Sequence, residues 1–395
     1  MGTTFAIKLF WALVLVESDI SSVVKNQKKV DIFCKIVDNF GDIGVCWRLA
    51  KQLHHEHGFP VRLFVDDLSI AAKILIGLRN EEEQMHDGVS IIRWGGAIQF
   101  THVADVVVET FACGLPPTYL RQMQVETMWV NVEHLSAEAW VPEFHALSGK
   151  HHETNFKRHF YFPGFNEQAG GLLREQDLIT RRNDFQQSDE QQSDFWNGLN
   201  ITPVNDLKIS LFSYANAPVN DFLQSLAEGE RQVSVYIPFN NHLPIPLLGS
   251  HDLVVGDCIK SGNLTLQMLP FLSQEDYDFL LWACDINFVR GEDSWVRAIW
   301  SGQPFIWQPY WQEGNVHLLK LNAFLDGFYA HPDIDCTLMK LHESWSTEVF
   351  HHHAWQDYLT KLGAVSEHTK QQSNHLFQQD DLATRLLAFC ANLAD

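Results

Sequence analysis

No C-x-x-C pair occurs among the seven cysteines at positions 34, 46, 113, 258, 284, 336 and 390. Neither a zinc ribbon nor a disulfide framework is indicated, and reduced thiols in a cytoplasmic protein fit best. Gly-x-Ser-x-Gly and the Walker loop are missing too, which disfavours serine hydrolysis and P-loop ATP hydrolysis. Positive charge is scarce: 28 Lys and Arg against 49 Asp and Glu leave a formal net charge of −21. A general nucleic-acid surface is therefore not expected, since affinity there comes from neutralising phosphates. Long hydrophobic runs are lacking. Residues 5–16 are apolar but interrupted by Lys8, and at roughly 12 residues they fall short of the about 20 that span a bilayer. They also lack the basic start and small-residue cleavage site of a secretory signal. Residues 1–28 are accordingly read as an extension outside the fold, consistent with an upstream start codon, and no membrane association is expected. No internal repeat is apparent.

Apolar and aromatic residues, by contrast, are abundant. Hydrophobic residues make up 46% of 395, enough for two domains that each bury a core. The 13 Trp and 27 Phe exceed what a core needs, so some Trp are expected to line a cleft. Strand-like runs at 30–37, 61–65, 89–94, 105–109 and 128–132 alternate with helical stretches. The pattern restarts at 207–212, 232–237 and 264–269, with a helix at 274–283, a strand at 304–308 and a helix near 314–324. Such alternation predicts two doubly wound, Rossmann-like domains facing each other across a cleft. The polar, low-complexity stretch at 183–206 reads as a linker or exposed loop, and 380–393 as an amphipathic helix. The expected division is 29–200, 201–375 and a C-terminal helix within 376–395. A monomer is the default expectation.

The chemistry is expected at strand ends. Residues 284–289 read as a buried strand, followed by Arg290, Gly291, Glu292, Asp293 and Ser294 and then a helix. Gly291 permits the sharp turn, and Asp293 or Ser294 can cap the helix. Such a corner points backbone N–H groups at one spot suited to an anion, most often a phosphate, and Arg290 adds a charged fork. An ordinary strand-to-helix turn with a surface Arg–Asp pair has the same pattern. Asp38 and Asp42 frame a glycine loop after the first strand, where a carboxylate pair can orient a nucleophile and accept its proton, or simply shape a turn. Aromatics at strand ends, Phe212 and Tyr214 and then Phe271 before Gln274, can stack on a base or belong to the edge of a core. His54-His55-Glu56-His57 and His351-His352-His353 lack the H-E-x-x-H spacing and read as solvated faces, so no metal site is expected.

Together these segments are more specific than any one of them. DIFC at 31–34, VDNFGDIGVCWRLA at 37–50, LPFLSQ at 269–274 and LWACDINFVRGEDSWVRA at 281–298 resemble the EarP family of bacterial protein-arginine rhamnosyltransferases. The resemblance covers about residues 29–393. It implies a GT-B fold, the donor dTDP-β-L-rhamnose, no cofactor, and inverting transfer of rhamnose to a guanidinium nitrogen of an arginine in elongation factor P. This is a post-translational arginine glycosylation that activates a translation factor. It places the family's three carboxylates on Asp38, Asp42 and Glu292. Donor-binding positions fall on Phe212, Tyr214, Phe271, Gln274, Arg290, Gly291, Asp293 and Ser294. Trp295 stands where the family more often has Phe, and residues 1–28 are a departure.

Elementary acid–base chemistry constrains the implied reaction. A guanidinium with pKa above about 12 is not deprotonated in the ground state by a carboxylate of pKa near 4. Two carboxylates can instead clamp it, distort its planarity and accept the proton as the C–N bond forms. Asp42 is assigned as that base and Asp38 as its orienting partner. The departing diphosphate, without a metal, needs the N–H groups at Asp293 and Ser294 together with Arg290. Glu292, itself an anion, is expected at the sugar or nucleoside hydroxyls, or beside positive charge developing at the anomeric carbon. Two other readings stay open: a nucleotide-sugar 2-epimerase on the same architecture, and a non-enzymatic module that binds a protein loop.

Overall fold

The computed structural model describes residues 28–394 except 39, 96–97, 205, 240–252, 331–334 and 348. Of the extension read at 1–28, residues 1–27 lie outside the described residues.

The first sheet is built from β1 (Val30–Cys34), β2 (Val61–Val65), β3 (Glu83–His86), β4 (Val89–Arg93), β5 (Val106–Thr110), β6 (Met128–Val132), β7 (Ser148–Lys150) and β8 (Lys157–Tyr161). Its order is β3-β4-β2-β1-β5-β6-β8-β7. The interior strands are parallel and rich in buried Val, Ile, Leu and Phe, as expected where helices cover both faces. Short antiparallel strands β3 and β7 close the two edges. Counting only the parallel strands, the order is 3-2-1-4-5-6, the doubly wound arrangement.

The second sheet comprises β9 (Leu207–Leu211), β10 (Val233–Pro238), β11 (Cys258–Ser261), β12 (Leu264–Leu269), β13 (Ile286–Arg290) and β14 (Phe305–Gln308), in the order β11-β12-β10-β9-β13-β14. Among its described strands only β11 is antiparallel. In both sheets the winding direction reverses beside the first strand, between β1 and β5 and between β9 and β13. Ligands of such sheets sit beyond the carboxyl ends at that reversal.

Helices follow in the order α1 (Phe40–His55), α2 (Leu68–Ile74), α3 (Pro117–Leu120), α4 (Val141–Phe144), α5 (Leu178–Gln187), α6 (Asp189–Gly198) and α7 (Val219–Glu228). Then come α8 (Gln274–Ala283), α9 (Asp293–Ser301), α10 (Val316–Phe328), α11 (Asp335–Ser346), α12 (His352–Phe377) and α13 (Leu382–Ala394). The stretch expected as a linker at 183–206 is instead largely helical. In α5, Leu178, Ile179, Arg182 and Phe185 are buried at helical spacing, and Ser188 caps α6 by accepting the Gln191 N–H. These helices, sequence-assigned to the first domain, pack on the second: Leu178, Ile179 and Phe185 join its main core, and Trp196 packs with Tyr236 and Leu269. The chain end crosses back, so that Leu382, Ala383, Leu386 and Cys390 of α13 complete the core of the first domain.

A buried charge network joins the domains. Arg48 of α1 donates from Nε to Asp293 at 2.8 Å and from Nη2 to Asp278 at 3.1 Å, and lies 3.4 Å from Glu175. Arg297 of α9 holds the same Asp278 at 2.9 and 2.6 Å and Glu175 at 2.6 Å. Arg48, Asp278 and Arg297 are each 5% exposed or less. Opposed charges raise the Arg48 pKa against the effect of burial, so the cations remain charged in place. Replacing Asp278 by Asn leaves two buried guanidinium groups short of one counter-charge. Urea unfolding of Asp278→Asn is expected to show a stability loss of about 3 kcal/mol.

Candidate active site

The four loops at the two winding reversals converge on one cleft. From the first domain come the turn after β1, which carries Asp38, and the turn after β5, with Phe111 and Ala112 at positive φ of 53° and 51°. From the second come Phe212–Tyr214 after β9 and Gly291–Ser294 after β13. Two cavities open along the cleft. The smaller, about 690 Å³, is lined by Phe212, Phe271, Gln274, Tyr277, Arg290, Asp293 and Ser294 among others. The larger, about 1650 Å³, is lined by Asp42, Glu133, His134, Trp140, Glu292 and Lys320 among others. Asp38, Gly41 and Gly291 line both, and so mark the junction. Of the tryptophans expected in a cleft, Trp140 lines the larger cavity, whereas Trp129, Trp295, Trp300, Trp307, Trp345 and Trp355 are fully buried in the cores, Trp307 only backing the cavity wall.

Asp42 lies inside the first turn of α1, not in a loop before it. Its Oδ2 accepts the Val37 N–H at 2.7 Å and the Asp38 N–H at 2.9 Å, which ties down the turn that presents Asp38. Asp38 Oδ2 accepts the Tyr214 hydroxyl at 2.6 Å, a bond between the domains at the junction. Burial raises both carboxyl pKa values. It outweighs the Tyr214 bond and Arg290 at Asp38, and the two backbone N–H groups at Asp42.

The corner after β13 divides at Gly291. Glu292 turns into the larger cavity, where Lys320 Nζ lies at 2.8 Å, His134 Nδ1 at 3.1 Å and the Leu135 N–H at 3.1 Å. Burial opposes its ionisation, yet Lys320 and His134 hold its pKa down at about 2. Asp293 and Ser294 turn into the smaller cavity. The expected side-chain cap on α9 is not formed. Glu292 occupies the cap position without a cap bond, and Asp293 is the first helical residue. The Asp293 carboxylate is taken by Arg48 and by Gln274 Nε2 at 3.1 Å. Ser294 Oγ accepts the Arg290 N–H at 3.0 Å and donates to the Arg290 carbonyl. The first N–H groups of α9 have no partner within the helix itself.

Arg290 is not a surface residue. Its guanidinium lies over the rings of Phe212 and Tyr214, 4.3 and 4.6 Å from their centroids, and donates to the Ser213 carbonyl at 3.1 Å. Phe271 packs edge-on against Phe40 of the facing domain at 5.1 Å. The cleft thus gathers all the sequence-selected positions: Asp38, Asp42, Glu292, Phe212, Tyr214, Phe271, Gln274, Arg290, Gly291, Asp293 and Ser294. It also adds Arg48, His134, Tyr277 and Lys320, which sequence reading passed over. Arg48 sits within a selected motif; His134 and Lys320 carry no local signal, because only folding brings them to Glu292. The histidine clusters stay apart. His54 Nδ1 meets the Phe59 carbonyl at 3.0 Å and His55 meets Asp87 at 3.2 Å, and among the described residues no group of three His, Cys, Asp or Glu is arranged for a metal ion.

At the junction Gly291 has a φ of 62°, and a Cβ there would sit 3.0 Å from both Asp38 Oδ2 and the Tyr214 hydroxyl. Gly291→Ala is expected to lower unfolding stability by about 1–2 kcal/mol from the left-handed conformation alone. Urea titration of the variant against the parent protein measures this.

Comparison with known proteins follows the same outline. The family model described as "Elongation-Factor P (EF-P) rhamnosyltransferase EarP" matches residues 30–391. Protein-arginine rhamnosyltransferases of Pseudomonas putida and Pseudomonas aeruginosa are 41% and 39% identical, each over 92% of this chain and 98% of the relative. A solved structure described as the structural basis for EarP-mediated arginine glycosylation of translation elongation factor EF-P is 34% identical. It has a TM-score of 0.68 and covers 93% of this chain and 99% of that one. The glycosyltransferase of kitacinnamycin, 11% identical with a TM-score of 0.54 over 92% and 98% of the two chains, shares the fold alone. The architecture is therefore GT-B, and the chain belongs to the EarP family of elongation factor P rhamnosyltransferases.

Proposed function

We propose that this protein is an inverting, metal-independent glycosyltransferase, a protein-arginine rhamnosyltransferase. It moves L-rhamnose from dTDP-β-L-rhamnose to a guanidinium nitrogen of an arginine in elongation factor P and so activates that translation factor. The observation that carries this reading is the shared wall of Asp38, Gly41 and Gly291 between two cavities of different character. A donor in one and an acceptor in the other meet at Asp38. An epimerase needs a single cavity, and a loop-binding module has no use for the smaller one. Among the described residues no helix is long and apolar enough to cross a membrane, and we take the cytoplasm as the place of action.

The smaller cavity suits a nucleoside diphosphate. Phe271 and Phe212 offer faces for the base, and Arg290 with the start of α9 offers charge and N–H donors for the diphosphate. Stacking beneath Phe212 and Tyr214 aims the Arg290 fork before any ligand arrives, which favours stabilisation of the departing charge. The larger cavity suits a cation, being lined by Asp38, Asp42, Glu133, Glu138 and Glu292. Asp42 Oδ2 is held by backbone N–H groups, leaving Oδ1 for the guanidinium. Its pKa, raised by burial like that of Asp38, suits it to accept a proton as the C–N bond forms. Glu292, ionised and turned away from the smaller cavity, serves as fixed negative charge near the acceptor and not as a ligand of nucleoside hydroxyls. Inversion is a single displacement: the guanidinium nitrogen bonds to the anomeric carbon as its bond to diphosphate oxygen breaks, and the proton passes to Asp42.

Mass spectrometry of elongation factor P incubated with the protein and dTDP-β-L-rhamnose is expected to show one deoxyhexose on one arginine. An unmodified acceptor with intact donor binding overturns the reading. Chelator is expected to leave turnover unchanged, whereas loss restored by Mn²⁺ contradicts the metal-free view. Asp42→Asn is expected to lower kcat by about 10²–10⁴-fold without loss of stability at neutral pH. The sign follows from the raised folded-state pKa: the folded protein binds the extra proton, so stability falls as pH rises from about 3.9 through the folded value. An uncharged Asn removes that fall, which urea titrations at several pH values detect.

A further inference from the structure

Glu292 carries two cationic partners of different kinds on one oxygen. Lys320 Nζ and His134 Nδ1 both meet Oε1, at 2.8 and 3.1 Å, while Oε2 accepts the Leu135 N–H at 3.1 Å. Lys320 belongs to α10, in the same domain as Glu292, and its side chain is 18% exposed. His134 comes from the facing domain, just after β6, and its side chain is 56% exposed. The ring lies flat on Phe111, centroids 4.4 Å apart at 13°, and lines the larger cavity with Lys320 and Glu292. One partner is held within its own domain. The other is open to whatever enters the cavity.

Taking the acceptor to be an arginine side chain, as proposed above, we infer that Lys320 and His134 are positioning residues. Lys320 is the permanent counter-ion of Glu292, and protonated His134 is a placeholder that the acceptor guanidinium displaces. The two cations occupy both acceptor sites of Oε1, so a third can bond there only when one leaves. Of the two, only imidazole sheds its charge near neutral pH. The charged groups facing His134 are Glu292, Lys320, Asp42 and Glu133. Burial lowers the His134 pKa, but Glu292 more than reverses this, so the net direction is upward from 6.5. Protonation of His134 and binding of the acceptor therefore oppose each other, and by linkage each weakens the other equally.

The test uses the full chain, saturating dTDP-β-L-rhamnose and elongation factor P between about pH 6 and pH 9. With one competing proton, KM for the acceptor is expected to rise about tenfold per pH unit below the His134 pKa. In His134→Gln, which can still donate to Glu292 but cannot titrate, that rise is expected to vanish. A slope equal to that of the parent protein overturns the placeholder role. Lys320→Met is expected to lower kcat at every pH, with partial recovery in Lys320→Arg; parental kinetics in Lys320→Met overturn the counter-ion role. A third readout needs no turnover: the NMR titration of the His134 ring in the free protein. Glu292→Gln is expected to move its pKa downward, and L-arginine added to the parent protein is expected to do the same. A ring pKa indifferent to Glu292→Gln overturns the inference. Absence of transfer by the parent protein bears on the proposed reaction, and leaves the NMR measurement to decide this one.

Discussion

Arg48 is a cation almost without water, and the geometry of the cleft depends on its being there. It leaves the first domain on α1 and ends among Asp293 and Asp278 of the second domain and Glu175 of the segment that leads into α5. A guanidinium in such a place is stable only while each neighbour stays within bonding range. This gives the interface little freedom to slide. The same α1 that delivers Arg48 carries Asp42 in its first turn, which pins the turn bearing Asp38. Asp293, gripped at the other end, begins the helix that follows Glu292. One ionic contact therefore fixes the distance between the two halves of the candidate site. Gly44 permits the approach: a Cβ at that position would lie 2.8 Å from Asp293 Oδ2.

The cleft is electrostatically divided. Arg290 and Arg48 border the smaller cavity beside Asp38 and Asp293, whereas the charged side chains lining the larger one are mostly carboxylates, with Lys35, His134 and Lys320 among them. A cation is thus favoured in the larger cavity, while Arg290, with Arg48 already paired to Asp293, is the cation left for an anion in the smaller one, although the chain as a whole carries −21. Orientation then comes from charge before any contact specific to sugar or peptide forms. The corner after β13 serves both sides because Gly291 turns the chain there, sending Glu292 one way and Asp293 with Ser294 the other.

Much of this could be read before folding, and the exceptions have physical causes. The strands at 61–65, 128–132 and 264–269 and the helix at 274–283 were legible because compact apolar runs and periodic spacing mark them, as found in β2, β6, β12 and α8. Residues 183–198 misled because their polar composition hides a helical pattern that rests on few buried side chains, Phe185 and Trp196 among them. The edge strands β3 and β7 carry little apolar signal. At the site, Asp38, Asp42 and Glu292 stood out through motifs. The charge state of Glu292 did not, because it is set by His134 and Lys320, residues distant in sequence that meet it only across and along the cleft. Tyr277 was hidden for the same reason: its position within α8 reads as a core aromatic until the cavity wall is formed.

The return of α13 to the first domain bears on how the chain is made. Leu382, Ala383, Leu386 and Cys390 fill the core whose first strand begins at Val30. Synthesis runs from the amino end, and domains generally fold as units in that order. Here the first domain lacks part of its interior until α13 has left the ribosome. The second domain, though begun later, has been synthesised through α12 before that moment. A chain that stops before α13 leaves its amino-terminal half with an open seam.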